Sequence, residues 1–148
     1  MSRLLGLLRA DSEELGFAPQ PRLDELDALL VHVRGAGLPV TLQILGTRRA
    51  LPPALELTAY RVVQEALTNT LKHGGEAHAE VRLGYTLDAF ELEVVDDGPG
   101  SDDGHVGGHG LAGMRERVNV FGGDFAAGPR PEGGFAVRVR LPVEAEPA

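Results

Sequence analysis

The sequence predicts a two-layer α/β sandwich in which helices cover one face of a mixed sheet. Three observations carry this. Apolar residues recur at helical spacing over 53–73 and again after Leu111, each stretch closed by a glycine pair. Between them, Ala77–Tyr85 and Phe90–Val94 alternate apolar with charged residues, as half-buried neighbouring strands do. The resulting order of elements, α-α-β-α-β-β-loop-α-β-β, places helices and adjacent antiparallel strands in one layer each.

Taken in order, residues 1–15 read as the end of a helix without a capping signal, and Gly16–Pro21 as a proline-rich linker. Leu23, Leu26, Leu30 and Val33 mark a helix over 23–35 that Gly35 and Gly37 stop. Leu38–Leu45 alternates weakly and reads as a strand. Pro52-Pro53 opens the strongest helix, whose buried stripe is Leu55, Ala59, Val62, Val63, Ala66 and Leu67. Leu87-Asp88-Ala89 is the expected turn between the two alternating strands. The glycine- and aspartate-rich run 96–110 is too flexible for a regular element. A helix then resumes near Leu111, followed by a short strand at 124–127 and a closing strand in which Phe135, Val137, Val139 and Leu141 oppose Arg138 and Arg140. Residues 144–148 are expected to be a disordered tail.

With 148 residues the chain falls in the range of a single domain, which buries about 70% of the unfolded chain's surface. No apolar run approaches a membrane span and no signal peptide is expected, so direct membrane contact is not predicted. The absence of cysteine rules out disulfides and thiolate chemistry and fits a cytoplasmic location. A net charge of −8 argues against a general nucleic-acid-binding surface. An acidic protein that binds a polyanion needs a local device: backbone N–H groups, a helix N-terminus or a metal ion.

Three motifs offer such devices. In Tyr60-Arg-Val-Val-Gln-Glu-Ala-Leu-Thr-Asn-Thr-Leu-Lys-His73, the residues Glu65, Asn69 and Lys72/His73 line one edge of a helix. The pattern alone is equally that of a solvated face. Asparagine is nevertheless costly inside an apolar helix. Its amide oxygen can ligate a hard cation while Lys72 and His73 meet phosphate oxygens, and Glu65 can orient or deprotonate a group beside the metal. Next, Val94-Val-Asp-Asp-Gly-Pro-Gly100 runs a strand into what is either a turn or an acceptor site. In the second case Asp96 accepts a hydrogen bond from an exocyclic amino group, and Gly98 and Gly100 let the chain pass close to a flat ring. Lastly, Gly107-Gly-His-Gly-Leu-Ala-Gly-Met114 opens a helix whose free N–H groups suit an anion. Gly108, Gly110 and Gly113 also spell a dinucleotide fingerprint, but that requires a strand immediately before it, where this chain has Ser101–Val106.

Together, in this order and spacing, the motifs resemble the Bergerat ATP-binding fold of the GHKL superfamily. Gln64-Glu-Ala-Leu-Thr-Asn69 with Lys72-His73, Asp96-Asp-Gly-Pro-Gly100, and Gly108-His-Gly-Leu-Ala-Gly-Met-Arg-Glu-Arg117 resemble the catalytic domain of two-component sensor histidine kinases. Within these kinases the motifs most resemble the branch paired with nitrate-response-type, helix-turn-helix regulators. The resemblance spans about residues 20–142.

It implies ATP and Mg²⁺ as cofactors, Asn69 as the metal ligand and Glu65 as the catalytic acid/base or metal-orienting residue. Asp96 would hold the adenine amino group, and Gly108, His109, Gly110 and Leu111 would lie at the phosphates, the glycines in a short lid. The implied partners are a dimerisation and phosphoacceptor domain of the same kinase and, indirectly, a response regulator. Residues 1–15 would be the stump of a dimerisation helix, 16–22 a linker and 23–143 the catalytic domain. Two departures stand out. Gly133-Gly134 lead directly into Phe135, where many relatives carry a threonine, so that hydroxyl contact is absent. No phosphoacceptor histidine is recognisable: His32 is expected on a helix surface and His78 on a strand surface, and His73, His105 and His109 lie elsewhere. An anti-sigma-factor-type serine kinase and a non-catalytic nucleotide-binding module are the alternatives. The leucine-rich start and proline linker argue against the first, and an intact Glu65 and Asn69 against the second.

Overall fold

A computed structural model describes residues 20–73, 76–98 and 108–143, with the side chains of His73, Gly108 and His109 excepted. The segments expected to be a dimerisation-helix stump and a C-terminal tail lie outside these residues. A 3-10 turn, Leu23–Glu25, leads into helix α1, Leu26–Gly35. Strand β1 is Val40–Leu45, α2 Pro53–His73, β2 Ala79–Tyr85, β3 Ala89–Asp96, α3 Gly108–Val120, β4 Asp124–Pro129 and β5 Phe135–Pro142.

The strands form one mixed sheet in the order β1-β2-β3-β5-β4. Helix α2 is the crossover that makes β1 and β2 parallel, with Val40 opposite Ala79. The other pairs are antiparallel. Alternation places Val81, Leu83, Phe90, Leu92, Val94, Val137, Val139 and Leu141 on the covered face. Against them pack Leu26, Leu30 and Val33 of α1, the predicted stripe of α2, and Leu111 and Val118 of α3. The open face carries charge instead. Glu93 accepts from Arg82 at 2.8 Å and from Arg138 on the next strand, tying three strands with exposed pairs of small individual worth.

Pro53 occupies the first turn of α2, where the missing N–H costs nothing. At the other end of the molecule, Gly123 N–H returns to the Val118 carbonyl at 3.0 Å and closes α3. Helix α3 begins at Gly108, three residues earlier than expected, because the first N–H groups of a helix need no intrahelical partner and glycine loses little there. The 86–89 turn forms as expected, closed by Thr86 N–H to the Ala89 carbonyl at 3.0 Å, but Ala89 already belongs to β3.

One clamp was not foreseen. Glu56, in the first turn of α2 and 7% exposed, accepts from Leu23 N–H at 3.2 Å and Leu51 N–H at 2.9 Å. A buried carboxylate needs such donors. These two fasten the start of the Leu23–Gly35 segment and the loop before α2 to the same side chain.

Candidate nucleotide-binding site

Phe90, Leu92 and Val94 face the helices, and strand periodicity turns Asp96 the same way. Its carboxylate is therefore drawn under α2, with 9% of the residue exposed. Gly98 N–H donates to Oδ1 and the Thr70 hydroxyl to Oδ2, each at 3.0 Å. An ionised carboxylate offers about four lone-pair sites, so Asp96 retains acceptor capacity toward a donor on a ligand. The loop of the β4–β5 hairpin presses on the strand end. Arg130 Nη1 donates to the Asp96 carbonyl at 3.1 Å, and Gly134 has φ +89°, so close that a Cβ would overlap the backbone of Asp96. Asp97 points outward; the backbone N–H of His78, 2.6 Å away, holds its carboxyl below the ordinary carboxylate range.

On α2 the helical repeat puts Glu65, Asn69 and Lys72 along one edge; the first two are half-buried and Lys72 is exposed. Asn69 Nδ2 is buried with no hydrogen-bond partner among the described residues. Such an orphan costs about 1–3 kcal/mol and marks a place that a further group completes. A half-turn of the amide presents its oxygen instead, a hard donor suited to Mg²⁺, as is the Glu65 carboxylate. Among the described residues no group of three or more His, Asp or Glu side chains could hold a metal on its own. Magnesium bound with nucleotide commonly keeps several waters and takes one or two protein oxygens plus phosphates, so this pair fits the ion.

Helix α3 meets α2 here: a Cβ on Gly110 would fall on the Glu65 carboxylate, so glycine leaves that side chain its place beside the start of α3. Leu111 is buried in the core and anchors the helix, leaving its backbone rather than its side chain to the first turn. The structure thus brings together Glu65 with Gly110, and Asp96 with Gly98 and the residue after Asn69. Gly100 and the 101–107 part of the expected lid lie outside the described residues. His32 and His78 are both exposed, as expected, although His78 immediately precedes β2. Three contributors were missed: Thr70, Arg130 and Gly134. Thr70 follows Ala66 by one turn on the buried stripe, so a hydroxyl there needed a partner, which was a usable signal.

A strand-end acid thus lies beneath a helix edge of Glu and Asn, faced by a glycine helix start. The chain belongs to the family described as histidine kinase-, DNA gyrase B-, and HSP90-like ATPases, whose model matches residues 54–145. It is 32% identical over 112 residues to the signal transduction histidine-protein kinase/phosphatase DegS of Brevibacillus brevis, covering 74% of this chain and 29% of that protein. It is 35% identical over 108 residues to the sensor histidine kinase LnrJ of Bacillus subtilis, covering 73% and 27% respectively. The chain thus spans under a third of the length of these relatives. Among solved structures it resembles the histidine kinase domain from the blue-light activated histidine kinase of Erythrobacter litoralis EL346 (TM-score 0.66, 23% identity, 82% of this chain and 59% of that one). The mycobacterial sensor histidine kinase MprB shares the fold at TM-score 0.61 and 19% identity, over 83% and 96% of the two chains. The chain is homologous to the ATP-binding catalytic domain of sensor histidine kinases, and ATP is the nucleotide the family uses.

Proposed function

We propose that this chain binds ATP with Mg²⁺ and donates the γ-phosphoryl group to a histidine on a separate dimerisation domain of the same kinase. The observation that supports it most is the convergence of Asp96, Asn69 and Glu65 around α2, with the Asn69 amide nitrogen left without a partner among the described residues. Asp96 accepts from the adenine amino group. Asn69 holds the metal with Glu65 beside it, and the N–H groups opening α3 at Gly108–Leu111, with Lys72 and His73, meet the phosphates. When bound, Mg²⁺ neutralises charge on the transferring phosphoryl group. The residues of this chain position the donor, which supplies most of the catalysis in such a transfer. The acceptor imidazole takes the phosphoryl group and ADP leaves.

In this reading residues 23–143 are the catalytic domain, 1–15 the end of a dimerisation helix and 16–22 the linker, and the domain works in the cytoplasm. The Gly108–Arg117 motif supports the branch that phosphorylates helix-turn-helix regulators of the nitrate-response type. The experiment is transfer in trans. With γ-labelled ATP, a histidine-bearing dimerisation fragment from such a kinase should acquire acid-labile label only when this chain and Mg²⁺ are present. Transfer that persists without Mg²⁺, or in Asn69→Ala, would refute the assignment.

A further inference from the structure

We propose that Thr70 sets the base specificity of this site, as a positioning residue that acts through Asp96. The inference rests on Asp96 being the base-binding acid. Thr70 is 6% exposed, and its Oγ1 lies 3.0 Å from Asp96 Oδ2 and 3.1 Å from the Ala66 carbonyl. Both are acceptors and the hydroxyl has one proton, so the two compete for it. The neighbouring Thr68 shows what the helix alone gives: a short back-bond of 2.7 Å to the Gln64 carbonyl. At Thr70 that bond is longer, and a carboxylate, the stronger acceptor, stands on the other side.

The two oxygens of Asp96 are thus assigned separately, Oδ1 to Gly98 N–H and Oδ2 to Thr70. Without the Thr70 hydroxyl, the carboxylate is pinned at one oxygen only and turns about its terminal torsion. A ligand edge that donates an N–H to Asp96 then loses alignment. An edge that presents a carbonyl has no such bond to lose. The phosphate end of the ligand, served by Glu65, Asn69 and α3, is untouched. Thr70 therefore governs the ratio of 6-amino to 6-oxo purine binding rather than affinity in general.

The hydroxyl also has an acceptor function. In Asp96→Asn, Gly98 N–H keeps the amide oxygen on its side, and the NH₂ group donates to Thr70 Oγ1, whose proton swings to the Ala66 carbonyl. That variant stays satisfied internally while its acceptor edge is replaced by a donor.

The test is calorimetric titration of the 148-residue chain with Mg-ATP and with Mg-ITP, which carries a 6-oxo group in place of the 6-amino group. Thr70→Val should weaken ATP about five- to tenfold and leave ITP within about twofold, because the ligand's bond to Asp96 is misaligned rather than removed. Thr70→Ser, which keeps the hydroxyl, and Thr68→Val, which loses only a back-bond, should keep the wild-type ratio. Should Thr70→Val not fold, Thr70→Ala must give the same fall in ratio. Equal weakening of both nucleotides, an unchanged ratio, or Thr70→Ser behaving like Thr70→Val would overturn the proposal. Asp96→Asn separates the two levels. If it leaves the ATP:ITP ratio unaltered, the base-binding reading of Asp96 falls. If it lowers the ratio while Thr70→Val does not, only the role of Thr70 falls.

Discussion

Asp96 is a buried carboxyl group with two internal donors and room for more, so its chemistry can be altered without dismantling the strand that carries it. Asp96→Asn should therefore unfold at nearly the wild-type denaturant midpoint yet bind ATP roughly 10- to 150-fold more weakly, the cost of one charge-assisted bond. Equilibrium dialysis alongside urea unfolding reads both. Gly110 tests the opposite case. A Cβ there meets the flexible end of Glu65, which can swing away, so Gly110→Ala should change stability by less than about 1 kcal/mol. Displacing the carboxylate should nonetheless lower phosphotransfer to a separate histidine fragment by about tenfold or more, since acid/base and orienting groups act only in place. Single-turnover labelling would show it; a variant with full transfer activity would free Glu65 from that role.

At the level of elements, the β4–β5 hairpin holds β3 at the site through backbone contact. Gly134→Ala combines an unfavourable positive φ with overlap on the Asp96 backbone, and should destabilise by about 3 kcal/mol or more in urea unfolding. Asp97 ties the other side of the strand end through His78. Its folded carboxyl titrates below the ordinary value, so the tie is fully present above the unfolded carboxylate range and is lost as pH falls through the lower, folded value. The His78 amide resonance should accordingly shift, and its protection relative to the intrinsic exchange rate should fall, as pH drops through that range, as a pH series of amide spectra would record. The elements themselves were legible because each signal is local: Pro53 at a helix start, Gly122-Gly123 at a helix end, and strict alternation in β2, β3 and β5. Glu65, Asn69 and Asp96 were legible for a similar reason, since one helical repeat and one strand end place them. Thr70, Arg130 and Gly134 were not, because each acts on Asp96 across 26 to 38 residues of chain, where pairing follows from the closed sheet. The early start of α3 was missed because glycine-rich sequence reads as loop whether or not a first helical turn forms over it.

For the molecule as a whole, donor and acceptor are expected on different bodies. Incubated alone with γ-labelled ATP, the chain should bind nucleotide and remain unlabelled; acid-labile label on it would show that one of its own histidines accepts. No helix among the described residues is long and apolar enough to cross a membrane.

The Glu56 clamp bears on where this domain may be excised. The family model's match begins at residue 54, yet the two N–H groups that hold Glu56 come from Leu23 and Leu51. A fragment spanning 54–145 would keep the carboxylate and discard both donors, and with them the tie between α2 and the chain before it. It would also lose the cover of Leu26, Leu30 and Val33, and with β1 gone the edge of β2 would lie open to pairing with other chains. Such a fragment should aggregate on expression, whereas one beginning at residue 20 should remain monodisperse in size-exclusion chromatography. The reach of the family model and the extent of the foldable unit differ here by some thirty residues, and one buried glutamate marks the difference.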